Sequence, residues 1–97
     1  MSILRTEQHS TESTKESGRI RKALVHELER LVKLAKERNI SLASLPASIT
    51  KLELMILDSA FKGLPLEKAD QTLLILPSRY EEMLQKLIVA LVLMIQN

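Results

Sequence analysis

SRYEEMLQKLIVALVLMI, residues 78–95, decides the fold. No charge follows Lys86, and Leu87 to Ile95 is an unbroken apolar run. Tyr80, Met83, Leu84, Leu87, Ile88, Leu91 and Ile95 recur at steps of three and four, the spacing of one helix face. Val89, Val92 and Leu93 fill other faces. A helix apolar on so many sides must be surrounded. A membrane span needs about 20 apolar residues, and this run is roughly half of that. The stretch therefore reads as the central helix of a small protein core. Ser78 and Glu81 have the spacing of a capping box at its start.

The other segments are read against this one. Leu24, Leu28, Leu31 and Ala35 alternate steps of four and three, which predicts a helix from Ser17 or Gly18 to about Arg38. Asn39 suits the left-handed residue that ends it. Residues 39–47, NISLASLPA, read as a connector. Thr50 and Glu53 form a second capping-box pair, opening a helix that Gly63 stops. Leu66 to Leu76 reads as a third helical segment with Glu67, Lys68, Asp70 and Gln71 on its wet side. Pro77 breaks it, or kinks it into the last helix. Residues 1–17 are polar apart from Ile3 and Leu4 and read as a flexible tail. The expectation is an all-α bundle of three to four helices over 18–97 behind a disordered tail.

Composition narrows the chemistry. The 97 residues contain one Tyr, one Phe and no Trp, so the core is aliphatic. With no Cys, disulfides, thiolate metal sites and a cysteine nucleophile are excluded. The N-terminal stretch has no apolar segment of signal-peptide length, which points to a cytoplasmic protein. His9 lies in the polar stretch and His26 on the first helix, with no second ligand at metal-binding spacing. Glu81 and Glu82 are adjacent, about 100° apart around a helix, and do not converge as a carboxylate pair. No nucleophile, base and orienter assemble, so no enzyme and no cofactor are expected.

Two functional readings remain. The apolar surplus exceeds what a bundle of this size encloses, which predicts association with protein, including self-association as a homo-oligomer. A small regulator, adaptor or chaperone acts in this way. The residues expected at such an interface are Leu84, Leu87, Ile88, Leu91, Val92 and Ile95, with part of the second helix. The alternative is a DNA- or RNA-binding regulator. Residues 1–38 hold nine Lys/Arg against six Asp/Glu, and Arg19, Arg21, Lys22, Arg30 and Lys33 are the candidate phosphate contacts. No aromatic accompanies them for base stacking, and glutamates interrupt the face. A helix-turn-helix over residues 34–49 places Pro46 inside the recognition helix, which argues against it. A membrane-peripheral or immunity-type role for the apolar tail is a third, weaker alternative.

Overall fold

The fold comes from a computed structural model that describes the backbone of residues 2–96 and the side chains of residues 18–96. It is all-α. Helix α1 spans Ser2–Glu37, α2 Lys51–Phe61, α3 Ala69–Thr72 and α4 Pro77–Gln96. A single 3-10 turn, Leu42–Ser44, interrupts the first connection. The α1 backbone is helical well ahead of the start expected at Ser17 or Gly18. The tail expected over 1–17 lies outside the described side chains.

Two contacts fix the direction of the long helices. Arg21 sits over the Tyr80 ring near the beginning of α4. Arg38 donates from Nη1 to the Ile95 carbonyl near its end, at 3.1 Å. Helices α1 and α4 therefore run parallel. Helix α2 runs back between them in sequence, its start beside Lys86 through Glu53. This is an up-down-up arrangement of three helices, with α3 as a single turn at the base.

The core is aliphatic, as the composition demands. Val25, Leu28, Leu31, Val32 and Ala35 from α1 meet Tyr80, Met83, Leu84, Leu87 and Leu91 from α4. Ile56, Leu57 and Ala60 close the third side from α2. Leu66 and Ile75, flanking α3, seal the base. Burying an aliphatic side chain of this size is worth roughly 1.5–3 kcal/mol, so this cluster carries the fold.

Helix α2 begins as its sequence implies. The Thr50 hydroxyl accepts from the Glu53 amide at 3.2 Å, and the Glu53 carboxylate accepts from the Thr50 amide at 2.8 Å. Helix α4 begins differently. Pro77 is its first residue, where a missing amide costs nothing, so Ser78 already lies within the first turn. Pro77 thus opens a helix rather than kinking one. The third segment is also shorter than expected. Only Ala69–Thr72 is helical, and residues 73–76 separate it from α4, which removes the single kinked helix. Residues 39–50 hold one 3-10 turn and no recognition helix, so no helix-turn-helix forms.

Three helices end in the same hydrogen-bond pattern. After α1, Asn39 has φ 57°, with Ile40 N–H donating to Ala35 C=O at 2.9 Å. After α2, Gly63 has φ 76°, with Leu64 N–H donating to Ser59 C=O at 2.9 Å. After α3, Leu74 has φ 58°, with Ile75 N–H donating to Asp70 C=O at 2.8 Å. In each, a left-handed residue lets the next amide satisfy an orphan carbonyl. Asn and Gly suit that position and Leu does not, because its Cβ crowds the following carbonyl at a cost of about 1–2 kcal/mol. The Leu74 side chain is 92% exposed and recovers nothing by burial. Leu74→Gly is therefore expected to raise the urea midpoint, with a gain of up to about 1 kcal/mol after the added freedom of the unfolded chain.

Candidate functional site

Two polar clusters stitch the bundle together. The first lies at its base. Asp70 is 2% exposed, and its Oδ2 takes an ion pair from Arg21 Nη2 at 2.9 Å. Its Oδ1 has no hydrogen-bond partner. The Arg21 guanidinium lies 5.5 Å from the centroid of the Tyr80 ring, within reach of a cation–π attraction. The Tyr80 hydroxyl donates to the Leu66 carbonyl. Asp70, placed on the wet side of its segment by the sequence reading, is thus buried. Arg21 is drawn in with it, because α1 presents that position toward α3 and α4.

Burial pushes the Tyr80 hydroxyl up to about 12, and the Asp70 charge adds to this against the opposing pull of Arg21. A raised phenol pKa favours the folded state while the phenol is neutral. That stability is whole below the ordinary value near 10 and is lost as pH climbs from there toward 12. Tyr80→Phe removes this term. Wild-type stability is expected to fall more steeply than that of Tyr80→Phe between about pH 10 and 12, by about 2 kcal/mol at most. Urea melts at stepped alkaline pH read the difference.

The second cluster ties α2 to α4. Lys86 Nζ donates to Glu53 Oε1 at 2.9 Å and to the Ser48 carbonyl at 2.8 Å. Glu53 is 4% exposed, so its carboxylate serves both the helix cap and the lysine. Burial works to raise its pKa. The Thr50 amide, Lys86 and the Thr50 hydroxyl together outweigh burial and hold it below the ordinary carboxylate value. Both clusters have their charges paired inside the chain, and each holds elements together.

The surface is less finished than the core. A groove of about 720 Å³ opens between α2 and the α3 region, walled by Met55, Ser59, Leu64, Pro65, Ala69 and Leu73. Asp58, Glu67, Lys68 and Thr72 line it as well. It meets a second depression of about 460 Å³, lined by Leu42, Ala43, Lys51 and Leu54, at Met55 and Asp58. The outer side of α2 is thus apolar and uncovered, although the sequence suggests a helix buried on several sides. Leu54, Met55 and Leu64 are exposed here, and Leu74 and Leu76 are exposed in the loop after α3. On α4, Val89 and Leu93 are exposed as well.

The six residues expected at an interface divide. Leu84, Leu87 and Leu91 are fully buried against α1 and α2 and cannot face a partner while this packing holds. Ile88, Val92 and Ile95 are half-buried at the margin of the core. The outward members of the same helix are Val89 and Leu93, which the periodic reading assigned to filler positions. The five basic candidates divide too. Arg19, Lys22, Arg30 and Lys33 are exposed on the wet side of α1. Arg21 is held by Asp70, and Arg30 is paired with Glu27. His26 is exposed, and among the described residues no three His, Asp or Glu side chains gather as a metal site. Among the described residues no helix is long and apolar enough to cross a membrane.

The fold and surface define a class: a small all-α bundle with internal polar clasps and uncovered apolar faces. Compared with protein-family models, curated proteins and solved structures, the chain matches none.

Proposed function

We propose that this chain is a protein-interaction domain that works by docking rather than by catalysis. The apolar face of α2 carries the reading. Leu54, Met55 and Leu64 are exposed beside a groove whose floor is formed by this chain's own helices. A surface helix ordinarily turns charge outward, and contiguous apolar surface of this kind marks interfaces. The regulator, adaptor and chaperone roles all use such a surface. The competing nucleic-acid role is less well supported, since two of its five basic residues are engaged by carboxylates of the same chain.

Immobilised full chain, incubated with lysate, tests this. Met55→Glu combined with Leu64→Glu places two charges in the groove at exposed positions, so the helical circular dichroism is expected to stay unchanged. Specific retention of protein is expected to fall about tenfold or more, as it does when a desolvated anchor is lost. Equal retention by wild type and variant overturns the groove as the docking face.

A further inference from the structure

Residues 63–76 cross the base of the bundle as a strap with few anchors. Leu66, Asp70 and Ile75 are its buried residues, with Ala69 and Leu73 half-buried. The backbone bonds between Leu66 and Ile75 stay inside the strap: Ala69 donates to the Leu66 carbonyl, Leu73 to that of Ala69 and Ile75 to that of Asp70. Among the described residues, two polar ties join this stretch to the long helices. One is the Arg21–Asp70 pair and the other the Tyr80 hydroxyl on the Leu66 carbonyl. Helices α1, α2 and α4 pack on one another without it.

The strap is strained where it is seated and jointed at both ends. Gly63 has φ 76° and open space where a Cβ would stand, so it can turn without a clash. Leu74 has φ 58° and is 92% exposed, a crowded backbone with no burial in return. Between the two, Asp70 Oδ1 is buried without a hydrogen-bond partner. Both costs exist only while the strap is seated. Lifting it returns Leu74 to an ordinary backbone region and gives both Asp70 oxygens water. Arg21 keeps the Tyr80 ring when Asp70 leaves. Lifting is opposed by the two polar ties and by the burial of Leu66 and Ile75.

We infer that residues 63–76 lift from the bundle as one unit while α1, α2 and α4 stay packed, and that the strap is the gate of the groove. Leu64, Pro65, Ala69 and Leu73 belong to the strap and make one wall of that groove. The groove is therefore present only in the seated form. The lifted form removes the wall and uncovers the Tyr80 ring at the base of the core. Local openings are drawn from the least stable part of a fold, and a few residues at element ends absorb the change in backbone angle. The gating role rests on the interaction reading above, and the movement does not.

Thiol labelling of the full chain tests the movement, since the Cys-free sequence lets one introduced cysteine report alone. Leu66 in the strap and Leu87 in α4 are both fully buried. Leu66→Cys is expected to react at least about tenfold faster than Leu87→Cys and to change little in low urea, because lifting exposes little surface. Leu87→Cys waits for global unfolding and is expected to accelerate steeply with urea. Adding Leu74→Gly is expected to slow Leu66→Cys by up to about fivefold, through relief of strain in the seated form. Amide exchange of the unaltered chain shows that the cysteine has not itself loosened the strap. The Leu73 and Ile75 amides are expected to exchange faster than those of Leu31 and Leu87, with the same shallow urea dependence. Equal urea dependence at strap and core positions, or Leu66→Cys labelling that Leu74→Gly leaves unchanged, overturns the inference. Labelling and exchange need no partner, so failure of the strap and failure of the interaction reading are distinguishable.

Discussion

Arg21→Ala is expected to destabilise the bundle by about 3 kcal/mol or more, a larger loss than Asp70→Ala produces. Both remove one ion pair, but they leave different remnants. Without Arg21, a carboxylate that is 2% exposed loses its counter-ion with one oxygen already unpartnered. Removing one member of a buried pair typically costs about 3–5 kcal/mol for this reason. Without Asp70, the remnant is a guanidinium whose side chain is 20% exposed. It retains the Tyr80 ring and has a long stem with which to reach water, so about 1–2 kcal/mol is expected. Arg21→Leu with Asp70→Leu leaves no stranded charge and is expected to recover most of the loss. Urea denaturation of the three variants reads the order. A larger loss for Asp70→Ala than for Arg21→Ala would mean that the cluster is held by arginine packing and not by the need of a buried carboxylate.

The second large effect separates two leucines on one helix. Leu91→Ala is expected to cost about 3 kcal/mol, because it empties a fully buried site between α1 and α4. Leu93→Ala, two residues on and 56% exposed, is expected to change stability by less than about 0.5 kcal/mol. Thermal melts of the two variants resolve the difference. Similar stability losses at both positions would place Leu93 inside the intramolecular core.

These two leucines also show how far periodicity reads. Steps of three and four identified one face of α4, and Leu84, Leu87 and Leu91 lie on it. The period says which residues share a face, but not which face meets the rest of the chain. The densest apolar line of a small bundle goes inward, and the sparser line, Val89 and Leu93, is left uncovered. Most signals that act within one turn were legible to the residue; Ser78 with Glu81 was not, because Pro77 already opens α4 ahead of it. Thr50 with Glu53, Asn39 and Gly63 work through local backbone chemistry and perform as their types imply. Asp70 was not legible, because its burial depends on Arg21 arriving from α1, far away in sequence. Leu74 was not legible because no leucine advertises a left-handed backbone. Pro77 was ambiguous, since proline closes one helix and opens another with equal ease, and only the path of residues 73–76 decides between them.

The parallel course of α1 and α4 has a consequence for the birth of the protein. The partner of the α1 core stripe is α4, and about 40 residues lie between the end of one helix and the start of the other. A ribosome adding roughly 5–20 residues each second needs several seconds to cross that gap. During those seconds Leu28, Leu31 and Val32 stand in solvent with only α2 available to shelter them. The nascent chain therefore shows, for a short time, an apolar surface that the finished fold conceals.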